Sequence, residues 1–383
     1  MSRWVSSAAP VMQTSFVVVG NDGDARVLGF QRALRARALP PARVVSYAEV
    51  LSGTPVVRGD APVAVRIESP GKDFETERLL LAAGEPGVAP PAGFERGRIH
   101  HPRRWYLGFC RALGRLGQQL AAHPAASFMN PPDDIAILFD KRACHQRLLA
   151  ADVPVPPALG PVESYEELRS AMRDAGCRAV FVKLAHGSSA SGAIAYRTDG
   201  RGRHSAATTV ETVQDSGAAK LYNSRRIRTL HREREIAELV DALAPYRLHV
   251  EAWLPKAGFS GCAFDVRVVV IGGRAHHAVA RLSQSPMTNL HLRNRRAGAA
   301  EIAGFLGSDV WRRMLRAAED AMQRGFPASL YGGVDVMVTA SLRTVAFLEV
   351  NAFGDLLPGV LHEGEDTYQA ELSAALAGAA QSW

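Results

Sequence analysis

Short apolar runs, each broken by a turn, alternate along the chain with segments of helix-forming composition. Phe16-Val-Val-Val-Gly20 is a β-branched run ending in a Gly/Asp-rich turn, and residues 26–38 after it suit a helix, so the chain opens on a βα unit. Ala64-Val-Arg-Ile67 predicts a second strand, and Ser69-Pro-Gly71 turns the chain into a helix over 75–83. An open α/β domain to about residue 130 follows from this pattern. Gly20, Gly23 and Gly29 do not form a dinucleotide-binding fingerprint. Gly71-Lys72 lacks the upstream glycine of a phosphate-binding loop and reads as a turn with a solvated lysine.

Asn130-Pro-Pro-Asp-Asp is loop chemistry, and a helix over 141–151 is stopped by Val153-Pro-Val-Pro-Pro157, where three prolines forbid continuation. A helix over 165–175, a strand Ala179-Val-Phe-Val-Lys-Leu184 and a loop His186-Gly-Ser-Ser-Ala-Ser-Gly192 come next. Residues 224–244 mix Arg and Glu in a way that predicts one exposed helix. From Leu248 onward strands dominate, with the run Phe264-Asp-Val-Arg-Val-Val-Val-Ile271, a Gly272-Gly273 turn, a further strand to Arg281, and a helix over 310–324. Gly333-Val-Asp-Val-Met-Val338 and Val345-Ala-Phe-Leu-Glu-Val-Asn351 close the pattern as a hairpin. The expected fold class is α/β in three parts: an N-terminal open α/β domain (1–130), a central α+β lobe (131–250) and a C-terminal α+β lobe (251–383).

A chain of 383 residues with 47% apolar content can bury a large core, which excludes a disordered chain. The net charge of +7 is spread along the chain rather than gathered in one tail, favouring small anionic ligands over a nucleic-acid surface. The four cysteines, Cys110, Cys144, Cys177 and Cys262, show no disulfide or metal-ligand spacing and read as reduced thiols. No run resembles a secretory signal or reaches the roughly 18 apolar residues of a spanning helix, so a soluble cytoplasmic protein is expected.

Chemistry concentrates in the last hairpin. Asp335 lies on one strand, and Glu349 and Asn351, two residues apart, share a face of the next. Two carboxylates and an amide are the hard oxygen ligands that Mg2+ prefers; the alternative is that Asp335 and Asn351 only cap strand ends. Lys183 ends an apolar strand just before a loop of small residues, whose backbone N–H groups can approach phosphate oxygens closely. Asp140-Lys141 at the head of a helix is a weaker signal of the same kind. No Ser/His/Asp or Cys/His arrangement suggests a protein nucleophile, and the histidines at 186, 276, 277 and 291 read as solvated or structural.

Taken in order, Asp140-Lys141 with Val153-Pro-Val-Pro-Pro157, Lys183 with its loop, Glu251-Ala-Trp-Leu254, Asp265-Val-Arg267, Arg281, Asn289, Gly333-Val-Asp335 and Leu348-Glu-Val-Asn351 resemble the ATP-grasp superfamily. The resemblance runs from about residue 131 to 358 and is strongest to the branch of glutathione synthetase and ribosomal protein S6 glutamate ligase. It implies a pre-ATP-grasp domain followed by a two-lobed ATP-grasp domain, with ATP and Mg2+ (or Mn2+) between the lobes. By resemblance, Lys141 and Lys183 hold the α and β phosphates, and the loop with Gly187, Ser188 and Ser189 closes over the γ-phosphate. Glu251, Ala252 and Leu254 form the hinge against adenine, Asp265 reaches the ribose, Arg267 and Arg281 face the transferring phosphoryl group, and Asp335, Glu349 and Asn351 hold the metal. One departure weakens the ribose assignment: Pro255-Lys-Ala-Gly258 stands where such hinges often carry an acidic ribose ligand.

The implied activity joins a small-molecule or peptide carboxylate to an amine, or a thiol, through an acyl-phosphate, releasing ADP and phosphate. A phosphotransferase on the same fold, or a non-catalytic nucleotide-binding protein, would share the ATP residues. A homo-oligomer is compatible with the sequence, and neither substrate can be named from it.

Overall fold

The computed structural model describes residues 14–71, 73–187, 190–215, 218–353 and 357–381. Its first sheet is parallel, in the order β2-β1-β3-β4, from β1 (Ser15–Val19), β2 (Arg43–Val45), β3 (Val63–Ile67) and β4 (Ala126–Phe128). Parallel neighbours need crossovers, and these are supplied by α1 (Ala25–Ala36), α2 (Tyr47–Ser52), α3 (Phe74–Gly84) and α4 (Pro102–Ala121). The 20-residue α4 is absent from the expectations above. It packs so closely on α3 that a Cβ at Gly84 or Gly108 would fall 1.9 Å from the Arg104 carbonyl oxygen or 1.8 Å from that of Leu80.

Two short helices, α5 (Pro132–Phe139) and α6 (Lys141–Ala150), lead into the central lobe. That lobe holds α7 (Tyr165–Asp174), β5 (Ala179–Leu184), β6 (Ile194–Thr198), β7 (His204–Asp215), β8 (Ala218–Leu230), α8 (Glu233–Leu243) and β9 (Leu248–Ala252), and its sheet is antiparallel in the order β8-β7-β6-β5-β9. The single exposed helix expected over 224–244 is therefore corrected. Residues up to Leu230 pair with β7, and α8 buries Ile236, Leu239, Val240 and Leu243 at helical spacing. Alternating charge marked only the wet face of each element.

The C-terminal lobe contains β10 (Gly258–Phe259), β11 (Cys262–Ile271), β12 (Arg274–Ser283), β13 (Arg295–Gly298), α9 (Ala299–Leu306), α10 (Ser308–Gly325), β14 (Tyr331–Val338), β15 (Val345–Asn351) and α11 (Thr367–Gln381). Its sheet runs β13-β12-β11-β14-β15, with β10 paired to β11. One apolar cluster joins Val65 and Phe109 of the first domain to Phe264 and Val334 of this lobe, whereas Val182, Ile194, Ile236 and Val250 belong to a separate cluster within the central lobe. The first domain and C-terminal lobe thus share a core that the central lobe does not enter.

The last helix returns to the first domain, packing on α1 so that Tyr368 covers Gly29. Beneath it, the fully buried Arg66 donates from Nε to Glu68 Oε1 and from Nη1 to Glu371 Oε2, both at 2.6 Å. Its guanidinium also lies 4.8, 4.6 and 5.3 Å from the ring centroids of Phe30, Tyr331 and Tyr368. One cation faces two carboxylates, and burial pushes the Glu371 carboxyl up from 4.5 to about 7 against the pull of Arg66. Below pH 4.5 both the folded and unfolded chains hold this proton; between 4.5 and 7 the folded chain holds it more tightly, so its contribution to stability is lost as pH rises through that window. Glu371→Gln should flatten this decline and exceed the parent at pH 8 by about 1–3 kcal/mol. Denaturant melts at pH 5, 6, 7 and 8 check this; an unchanged slope in the variant would remove Glu371 from the account.

Candidate active site

The strand register of the C-terminal sheet sets its charged residues side by side. Asp265 on β11 is directly opposite Arg281 on β12; Arg267 is opposite Asp335 on β14, and Asp335 is opposite Glu349 on β15. Gly333 is opposite Asn351, with the register shifting next to Asp335. Cross-strand partners share one sheet face, so ion pairs form between them. Arg281 donates from Nε to Asp265 Oδ1 at 2.7 Å and reaches Asp335 Oδ2 from Nη2 at 2.9 Å. Arg267 grips both oxygens of Asp335, with Nη2 to Oδ2 at 2.9 Å. Asn351 Nδ2 donates to the Gly333 carbonyl at 3.1 Å.

Asp265 also accepts from Lys256 Nζ at 2.8 Å and from the Thr288 hydroxyl, and Lys256 reaches Thr288 Oγ1 at 2.7 Å. Burial pushes the Asp265 carboxyl up, but Arg281 and Lys256 hold it well below the usual range. Against the downward pull of burial, Asp265 and Asp335 keep Arg281 firmly protonated. Both oxygens of Asp265, the residue expected to reach the ribose, are thus taken by protein donors, and the residue is 1% exposed. Arg281 takes Oδ1, and Lys256 and Thr288, neither of them singled out from sequence, take Oδ2. The loop position of Lys256 just past the hinge was legible; its partner was not.

The opposite wall comes from the central sheet. Lys183, at the end of β5, pairs with Glu251 on β9, whose other oxygen meets His249 Nε2 at 3.1 Å. Although burial raises it, Lys183 and His249 hold the Glu251 carboxyl at about 2. Burial lowers Lys183, yet Glu251, Glu349 and Asp335 raise it overall, which places both C-terminal carboxylates within its electrostatic reach. Lys141, the first residue of α6, crosses the cleft. Its Nζ donates to the Gly187 carbonyl at 2.7 Å and to Glu349 Oε1 at 2.8 Å. A small cavity between the lobes is lined by Lys141, Cys144, Val155, Lys183, Glu251 and Glu349, among others.

At the hinge, the Ala252 N–H donates to the Pro157 carbonyl at 2.8 Å, that of Trp253 to Ala179 at 2.9 Å, and the Trp253 ring lies 5.4 Å from that of Phe181. Ser188 and Ser189 lie outside the described residues. Among the described residues no three His, Cys, Asp or Glu side chains are grouped to hold a metal ion by themselves, and no helix is long and apolar enough to cross a membrane.

No family model and no curated protein matches the sequence. Solved structures do match the fold over nearly the whole chain. D-cycloserine synthetase DcsG is similar at a TM-score of 0.56 and 13% identity, covering 95% of this chain and 100% of that one. The ATP-grasp ligase PsnB complexed with minimal precursor, Mg and ADP gives 0.52 and 19%, covering 96% and 99%. The chain has the ATP-grasp fold. Macrocyclase MdnC bound with precursor peptide MdnA, from Microcystis aeruginosa MRC, gives 0.53 and 12%, covering 96% and 100%. Within this ATP-grasp fold, Lys141, Lys183 and Glu251 line one side of the interlobe cleft, and Arg267, Arg281, Asp335, Glu349 and Asn351 belong to the sheet on the other.

Proposed function

We propose that this chain is an ATP-dependent ligase that joins a carboxylate to an amine, or a thiol, through an acyl-phosphate, releasing ADP and phosphate. The observation that carries the reading is the convergence of Lys183 from the central sheet and Lys141 from α6 with Arg267, Arg281, Asp335 and Glu349 of the C-terminal sheet. The matched PsnB structure is complexed with Mg and ADP, which supports ATP and Mg2+ as the ligands of this chain.

Asp335, Glu349 and Asn351 match a Mg2+ set in kind, being two carboxylates and an amide on paired strands, and Asp335, whose two oxygens are held here by Arg267 and Arg281, would have to exchange one of those contacts to join it. With too few protein ligands for a closed cage, they suit an ion that nucleotide phosphates also ligate. Bound there, Mg2+ neutralises phosphate oxygens. Lys141 and Lys183 would take the α and β phosphates, with Gly187 and the loop after it, including Ser188 and Ser189, beside the γ-phosphate. Adenine would meet the Ala252 carbonyl, since its N–H is already donated, and the Leu254 N–H. Asp265 is better read as the anchor that aims Arg281 and Lys256 than as a ribose ligand.

Phosphoryl transfer asks for positioning and charge neutralisation rather than a protein nucleophile. A substrate carboxylate oxygen attacks the γ-phosphorus and ADP leaves; the amine nitrogen then attacks the acyl carbon, phosphate departs with that oxygen, and the amine loses a proton. Arg281 and Arg267 are the cations for the transferring group. Because PsnB is complexed with a minimal precursor and MdnC with a precursor peptide, peptide carboxylates belong in the screen beside free amino acids. ADP release measured over carboxylate and amine pairs tests the reading: a ligase forms ADP and phosphate only with both partners, a phosphotransferase forms a stable phosphorylated product with one.

A further inference from the structure

His186 follows β5 and precedes Gly187, and it is 6% exposed. Its Nε2 donates to Asp140 Oδ2 at 3.1 Å, and its ring stacks on Tyr106 of α4 with centroids 4.0 Å apart and planes at 14°. Asp140 is itself the N-cap of α6, its other oxygen accepting from the N–H groups of Arg142 at 2.9 Å and Ala143 at 3.2 Å. Lys141, next along, donates its backbone N–H to the Ala185 carbonyl at 2.9 Å and its ammonium to Gly187. Residues 140–141 and 185–187 therefore form a closed ring of contacts, in which the Asp140–His186 bond is the side-chain tie. Tyr106, on α4 of the first domain, in turn donates its hydroxyl to the Ala136 carbonyl of α5 at 3.1 Å.

We infer that His186 is a positioning residue: it seats the start of the small-residue loop against Lys141, and Tyr106 extends that seat to the first domain. The inference rests on the reading of Lys141 and this loop as the holders of nucleotide phosphates. Without the tie, Gly187 is held through its carbonyl by Lys141 and through its N–H to the Leu184 carbonyl, and residues 185–187 have more freedom to lose when a nucleotide binds. Since Nε2 carries the donated hydrogen, Nδ1 is buried without a partner among the described residues. A single donor at the right reach is what the position uses, and a glutamine amide can supply it.

MgADP is the probe, since it needs no knowledge of the acceptor. Titration calorimetry on the full chain should show His186→Phe, which keeps a ring on Tyr106 but cannot donate, weakening MgADP roughly tenfold. His186→Gln should stay within about threefold of the parent. Hydrogen exchange over residues 184–192 should show MgADP-induced protection in the parent and the Gln variant and little in the Phe variant. A merely structural role would lower the melting temperature without changing that nucleotide-dependent protection. If Phe is not accommodated, His186→Asn, too short to reach Asp140, replaces it with the same expectation. Parent-like affinity and protection in the Phe or Asn variant, alongside loss of binding in Lys141→Ala, would overturn the inference and leave the phosphate reading standing. Parent-like affinity in Lys141→Ala would overturn both.

Discussion

Glu349→Ala is expected to lower Mg2+-dependent ADP formation by roughly 100-fold or more while the protein stays folded. Glu349 is partly exposed, with 36% of its side chain accessible, so its removal opens no apolar cavity. It faces Asp335 across the strand pair, and burial and Lys141 act on its carboxyl in opposite senses, with Lys141 and Lys183 prevailing to keep it ionised. Asn351→Ala should act in the same direction, since its Nδ2 is spent on Gly333 and its oxygen is the atom suited to a hard cation. Glu349→Gln separates two roles. It keeps an acceptor for Lys141 but removes the negative charge opposite Asp335, so a role limited to holding Lys141 predicts near-parental turnover. Loss of turnover in both Ala and Gln variants, with parental melting curves, is the predicted outcome; parental turnover in either Glu349→Ala or Asn351→Ala would sink the metal assignment.

Arg281→Lys is predicted to lower kcat by about 10- to 1000-fold with a much smaller change in KM for ATP. Arg281 is 5% exposed and spans Asp265 and Asp335. Its planar fork makes both contacts at once, whereas an ammonium offers one compact charge. If the charge acts mainly on the departing phosphoryl group, the loss falls on kcat rather than on ground-state nucleotide binding. Arg281→Ala is the harsher test. It uncovers Asp265 and Asp335 in a buried setting, where losing one partner of an ion pair costs about 3–5 kcal/mol, so its kinetics carry weight only beside a melting curve. Near-parental kcat in the Lys variant, measured with a productive substrate pair, would reduce Arg281 to a structural counter-ion.

Elements that bury a whole face were legible in sequence. The runs that became β11, β14 and β15 are mostly apolar, and their alternation already put Asp265 with Arg267 and Glu349 with Asn351 on shared faces. What alternation could not convey was register. That Asp335 lies opposite both Arg267 and Glu349 depends on how three strands align, which is a property of the assembled sheet. The same limit hid Lys256 and Thr288 as partners of Asp265, residues 9 and 23 positions away along the chain. It also hid Tyr106 as the seat of His186. The Arg/Glu mixture of 224–244 misled because charge tracks the solvent face of strand and helix alike. The return of α11 onto α1 has no local signature, since it is sealed by Arg66 and Glu371, 305 residues apart.

The proposed reaction passes through an acyl-phosphate, and the fate of the carboxylate oxygen tests that directly. With a substrate pair found by the ADP-release screen, the carboxylate is labelled with 18O and the released phosphate is examined by mass spectrometry. Attack of the carboxylate on the γ-phosphorus, followed by displacement by the amine, moves one labelled oxygen from carboxylate to phosphate for each bond formed. One 18O per phosphate is the result predicted here, and unlabelled phosphate formed alongside the joined product would contradict it.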